Sequence, residues 1–131
     1  MDNNNSIQKE LITKIVNDAS GAVGIRLCAI GVDLGIFEDL AKNGPSTSEE
    51  ISLRMKLDER YLREWALGLF SSGYLDFNKE NRKISLKPEY IPVLVEEGGK
   101  FSQKGVIQLL NSTLLPYHDL LEAFRNGGGI N

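Results

Sequence analysis

The sequence predicts a mainly α fold: a winged helix-turn-helix with a small β-hairpin wing and long flanking helices. Three observations predict it. Two helix-start signals, at Thr47 and Asp58, follow each other closely. Two short β-type runs, residues 74–77 and 83–86, come next, separated by a polar loop at 78–82. Outside these lie segments whose apolar residues recur at helical spacing. Helix, tight turn, helix and β-hairpin is the order of a winged helix-turn-helix.

Each element has its own signal. Ser6 is a candidate N-cap for a helix over residues 7–19, whose apolar face is Ile7, Leu11, Ile12, Ile15, Val16 and Ala19. Residues 22–37 are apolar nearly all round, with only Arg26 and Asp33 charged. Such an element needs cover on several sides. A small domain offers little of that, so helix 22–34 is predicted to meet a second copy or a second domain. Gly35 marks a break, a short helix follows through Phe37 and Leu40, and Asn43-Gly44-Pro45 is a turn.

Thr47 and Glu50 have the spacing of a capping box at the start of a helix over 48–55, with Ile51 and Met55 inward. Asp58 caps the next helix, and Leu57 and Leu62 stand at the positions of a hydrophobic staple. Leu62, Trp65, Ala66, Leu69 and Phe70 form its apolar stripe, and Gly73 ends it. After the hairpin a short helix is expected from Pro88 through Ile91 and Leu94, ending near Gly98-Gly99. A long amphipathic helix then runs from Phe101 to Phe124, kinked at Pro116, which lacks an amide donor and clashes with the preceding turn. The chain thus divides into a helical and winged-helix part at 1–100 and a kinked helix with a Gly-rich linker at 101–131.

Composition excludes several function classes. A chain of 131 residues suffices for one domain with its own core. Its net charge is −3, without the basic footprint of a dedicated nucleic-acid binder. The single cysteine, Cys28, permits no internal disulfide and reads as a small buried hydrophobe. The start from Met1 to Ser6 is polar and Asn-rich, unlike a secretory signal. No uncharged apolar run is long enough to read as a membrane span. A cytoplasmic protein with no membrane partner is expected.

Few residues offer chemistry. His118 is the only histidine; its neighbours Tyr117 and Asp119 point elsewhere on a helix, so no ready dyad forms. A metal site is not expected with one His and one Cys. No nucleophile–base constellation can be assembled, so no catalytic residue is assigned. In a DNA-binding relative the helix over 59–72 would read bases, with Arg60 and Arg63 outward and Lys79 and Arg82 on the wing. Glu59 and Glu64 offset those arginines, and residues 47–87 hold eight basic against seven acidic residues. Nucleic-acid binding is therefore the less favoured alternative: a small dimeric winged-helix transcription regulator.

Several runs resemble one family. Leu34-Gly35-Ile36-Phe37-Glu38-Asp39-Leu40-Ala41 is similar to a stretch of many small-molecule methyltransferases that helps build an intertwined helical dimer. Leu57-Asp58-Glu59-Arg60-Tyr61-Leu62-Arg63-Glu64-Trp65 looks like a helix of bacterial class I S-adenosylmethionine-dependent methyltransferases with a winged-helix N-terminus. Gly73-Tyr74-Leu75, Ser85-Leu86, Pro88-Glu89 and Leu94 match further stretches of that branch, and Phe124-Arg125-Asn126-Gly127-Gly128-Gly129-Ile130 resembles the segment preceding its catalytic domain.

The resemblance implies an N-terminal dimerisation and substrate-lid domain, not catalytic alone, with a homodimer through helix 22–34. It implies S-adenosylmethionine and a small-molecule methyl acceptor for the full-length enzyme. Asn111, Tyr117 and His118 are the implied lining of the acceptor pocket. The Rossmann-like cofactor domain of that family is not in this sequence. Gly127–Gly129 follow a helix rather than a strand, so no cofactor-binding residue can be assigned.

Overall fold

The computed structural model describes residues 3–129; Met1 of the polar start and Ile130 of the closing segment lie outside the described residues. The elements follow as α1 (Asn3–Leu34), α2 (Ile36–Asn43), α3 (Ser48–Met55), α4 (Glu59–Ser71), β1 (Asp76–Phe77), β2 (Ile84–Ser85), α5 (Ile91–Leu94), α6 (Lys104–Thr113) and α7 (Tyr117–Asn126). A 3-10 turn at Pro88–Tyr90 leads into α5.

The winged helix-turn-helix forms as its signals predict. Thr47 Oγ1 accepts from the Glu50 amide at 3.2 Å while the Glu50 carboxylate accepts from the Thr47 amide at 2.9 Å. Asp58 Oδ1 accepts from the Tyr61 amide at 3.1 Å and starts α4. That helix ends in a Schellman motif: Tyr74 N–H donates to Leu69 O at 2.9 Å and Gly73 N–H to Phe70 O at 3.1 Å. Gly73 has φ +85°, a backbone conformation that a side chain would strain.

Three expectations need correction. The first flank is one 32-residue helix, not two segments. Gly21 costs a helix interior only about 1 kcal/mol relative to Ala, too little to stop it between two apolar runs. The long segment 101–124 is two helices, not one kinked helix. Phe101 lies in a turn before α6, and α6 closes with Leu114 N–H to Asn111 O at 3.3 Å and Leu115 N–H to Ser112 O at 3.2 Å. Pro116 then caps α7, so the ring ends one helix and starts another. The wing strands are two residues each, because Tyr74 and Leu75 are used in closing α4. Asp76 pairs with Ser85 and Phe77 with Ile84, while Ile84 exchanges backbone bonds with Ser46 on its other edge.

The core sits where α1, α2, α3 and α4 converge. Cys28, Ala29, Ile36, Phe37, Leu40, Ile51, Trp65 and Leu69 are buried there. The Phe37 and Trp65 rings are tilted at 54° with centroids 5.6 Å apart. Trp65 Nε1 donates to Leu27 O at 2.7 Å, pinning α4 to α1. Helix α1 is therefore covered along one face of its second half, not all round: Ile30 and Leu34 remain exposed. Phe70 is also partly exposed and packs on the wing through Phe77, centroids 6.1 Å apart.

Polar ties hold the outer helices. Arg54 makes a two-pronged contact with Asp39, Nε to Oδ1 at 3.2 Å and Nη2 to Oδ2 at 2.7 Å, and Nη2 also reaches Ser46 Oγ at 2.9 Å. Lys104 is buried, and its ammonium meets Glu97 at 3.0 Å and Glu38 at 3.1 Å. These carboxylates, Glu97 foremost, raise its pKa. The pair joins α6 to α2 and to the loop after α5.

Two outcomes follow from this packing. A methyl at Gly31 would stand 2.6 Å from the Phe37 ring and 2.7 Å from the Trp65 ring. Gly31→Ala is expected to destabilise the fold by about 1–3 kcal/mol, measured by urea unfolding, despite its gain in helix propensity. Burial pushes the Cys28 thiol up to about 12. Because the folded pKa is raised, the stability it contributes is present below pH 9 and lost as pH rises toward 12. A thiol reagent at pH 8 is expected to label Cys28 only after denaturation.

Candidate functional site

Three concavities lie around α4. The first is an apolar groove of about 340 Å³ between α1 and the start of α4. Leu27, Ile30 and Leu34 form one wall, Leu62 and Trp65 the other, and Asp58 and Glu64 stand at its lip. The second, about 640 Å³, is open and runs along Ser20, Gly21, Gly24, Gly68, Ser71 and Ser72, where small residues leave the helices thinly covered. The third, about 240 Å³, lies between α4 and the wing, with Arg63 and Arg82 at its mouth.

The surface outside these grooves is unusually apolar along two helices. On α1, Ile7, Leu11, Ile12, Ile15, Val16 and Val23 are each 57–61% exposed. On α6 and α7, Leu109, Leu114, Tyr117, Leu120 and Phe124 are exposed, Phe124 at 85%. Apolar surface on this scale marks an interaction site. Among the described residues α1 is the one helix long and apolar enough to cross a membrane. Its second half instead carries the core residues Cys28, Ala29 and Val32.

The residues expected to line an acceptor pocket sit on this second apolar surface. Tyr117 and His118 are exposed at the start of α7, rings edge to face with centroids 6.0 Å apart. Asn111 is half-buried on α6, and its Oδ1 is buried without a hydrogen-bond partner. No hydrogen bond joins these three side chains among the described residues, and none of them lines the three concavities.

The candidate DNA contacts are partly neutralised within the chain. Arg63 Nε lies 3.8 Å from Glu59, and Arg82 Nη2 lies 3.7 Å from Glu49. Arg60 and Lys79 are exposed. Glu49 itself is held below the usual carboxylate range, first by a backbone hydrogen bond at the helix start. A phosphate approaching here would meet two carboxylates along with the arginines.

The sequence matches the Rv2258c-like winged HTH domain over residues 21–95. The chain belongs to that family. The match spans α4, the wing and the second half of α1, so the first apolar groove is built wholly from family positions. No curated protein matches the sequence.

Solved structures share the fold over nearly the whole chain. The structure "PigF with SAH" matches at TM-score 0.70 and 19% identity, covering 87% of this chain and 33% of that one. N,N-8-amino-8-demethyl-D-riboflavin dimethyltransferase (RosA) from Streptomyces davawensis matches at 0.69 and 20%, covering 92% and 34%. An O-methyltransferase family 2 protein from Planctomyces limnophilus, in complex with apigenin, matches at 0.62 and 25%, covering 92% and 35%. The chain therefore spans about a third of the length of these structures.

Sequence reasoning placed Trp65 in the core but did not see that it also walls a groove. The missed signal is the exposure of Leu27, Ile30 and Leu34 on the flank of α1 that the glycines leave free. A duplex of mixed sequence, followed by fluorescence anisotropy at low salt, is expected to show no salt-dependent binding. Binding that weakens on changing Arg60 and Arg63 to Ala would reverse that reading.

Proposed function

We propose that this chain is the N-terminal dimerisation and substrate-lid domain of an S-adenosylmethionine-dependent methyltransferase. The observation that carries the reading is the coverage. Over nine-tenths of this chain aligns with about a third of RosA and of the Planctomyces limnophilus O-methyltransferase family 2 protein. The two exposed apolar surfaces support it: a complete small domain would bury them. The surface on α1 suits a second copy, and that on α6 and α7 suits a catalytic domain.

The cofactor, which supplies the methyl group when bound, does not fit the residues present. Gly127 is the C-cap of α7 with φ +73°, and no strand leads into Gly127–Gly129. The cradle for a nucleotide moiety needs a strand, a glycine turn and a helix in that order. No step of the reaction is assigned to this chain. Its role is to bind and enclose. With α6 and α7 against a catalytic domain, Tyr117, His118 and Asn111 would face the acceptor, and the unpartnered Asn111 Oδ1 would accept a hydrogen bond. Closing apolar helices over the acceptor would exclude water from the site.

The test is the native gene product, isolated from its cells with an antibody to this domain. A product well over twice the mass of this chain, which transfers labelled methyl from S-adenosylmethionine, is the expected result. A product no larger than this chain would overturn the reading.

A further inference from the structure

Helix α1 carries an unpartnered seam along its length. Ile12, Val16, Ala19, Val23, Leu27, Ile30 and Leu34 recur at steps of three and four residues, the spacing of a coiled-coil seam. All are exposed except Leu27, which is half-buried in the groove wall. The first half, through Gly21, lies entirely in solvent. A helix of that length is marginal in water without packing.

The seam is self-complementary. Turned end for end about Gly21, Ile12 falls opposite Ile30, Ile15 opposite Leu27 and Ala19 opposite Val23. The bulky pairs lie toward the ends, and small residues lie at the middle, where two helices cross most closely. A parallel pairing would leave each groove beside α4 empty. The antiparallel one sends the solvated half of each α1 into the groove of the other copy.

Charge agrees with this direction. Lys9 lies on the flank of the seam that passes α4, and Asp58 and Glu64 form the lip there. Lys9 makes no ion pair within the chain among the described residues.

We propose that two copies of the chain pair their α1 helices antiparallel about a two-fold axis at Gly21, the Ile12–Val16 segment of each copy filling the groove between Leu27, Ile30, Leu34 and Trp65 of the other. The proposal rests on the dimer reading above and specifies its direction and register. The interface is isologous and closed, so it stops at two copies. Two stripes and two grooves together bury on the order of 1,000 Å² or more, the scale that a specific dimer requires.

The test joins Ile12→Cys and Ile30→Cys in one chain. Eighteen residues of helix separate the two positions by about 27 Å, so no disulfide can form within a copy. Mild oxidation is expected to give a covalent dimer from the double variant and none from either single variant. Sedimentation of the unmodified chain is expected to show a dimer. Ile12→Glu, at an exposed site, is expected to weaken that dimer at least about tenfold with helical circular dichroism unchanged per folded chain. A dimer in sedimentation without the double-variant cross-link, or with one from Ile12→Cys alone, would overturn the register and leave the dimer reading standing. A monomer at every accessible concentration would overturn both.

Discussion

The structure depends on how Trp65 meets α1. Its indole nitrogen donates to Leu27 O at 2.7 Å, and its ring lies where any side chain at Gly31 would stand. A second glycine completes the approach: a methyl at Gly68 would come within 2.6 Å of Leu27 Cδ1. Two helices of ordinary composition pack about 8–10 Å apart. Here the glycines let α4 sit close enough for a polar atom of a buried ring to reach a helix carbonyl. A buried indole N–H left without a partner would cost far more than the bond contributes net. The pairing of α1 with the helix-turn-helix is thereby specific as well as apolar.

Everything else is arranged about that contact. Phe37 stacks on the same ring from α2, which Gly35 turns back at φ +76°. Arg54 fastens α3 to α2 through Asp39, and the Ser46–Ile84 bridge fastens the wing to the strand-like entry of α3. Lys104 brings α6 against α1 with two carboxylates around a buried ammonium. A buried charge of this kind contributes little net stability but is costly to break. It suits a helix whose position must be fixed while its outer face stays free to dock.

The core uses one face of α1 and leaves the opposite face, from Ile7 to Leu34, to solvent. The same division appears on α6, where Ile107 is buried while Leu109 and Leu110 are not. A domain built this way holds its own shape through the winged helix and offers its flanking helices to larger neighbours. The family match and the partial coverage of the methyltransferase structures fit that economy of surfaces.

The local elements were legible because their causes are local. The capping box at Thr47, the cap at Asp58, the Schellman turn at Gly73 and the left-handed Gly35 each act within a few residues of chain, and each stands where the sequence puts it. What the sequence could not determine was how far an element extends when two neighbours compete for the same residues. Leu75 could extend a strand or help close α4; Ser20 and Gly21 could end a helix or lie within one; Pro116 could bend a helix or divide it. Tertiary packing decided these, because the alternatives differ locally by about 1 kcal/mol while a buried side chain is worth about 1.5–3 kcal/mol. The candidate site follows the same rule. Its residue types were visible in the sequence. That Leu27, Ile30, Leu34 and Trp65 share one groove was decided by the close approach of α1 and α4, which two glycines far apart in the chain make possible together.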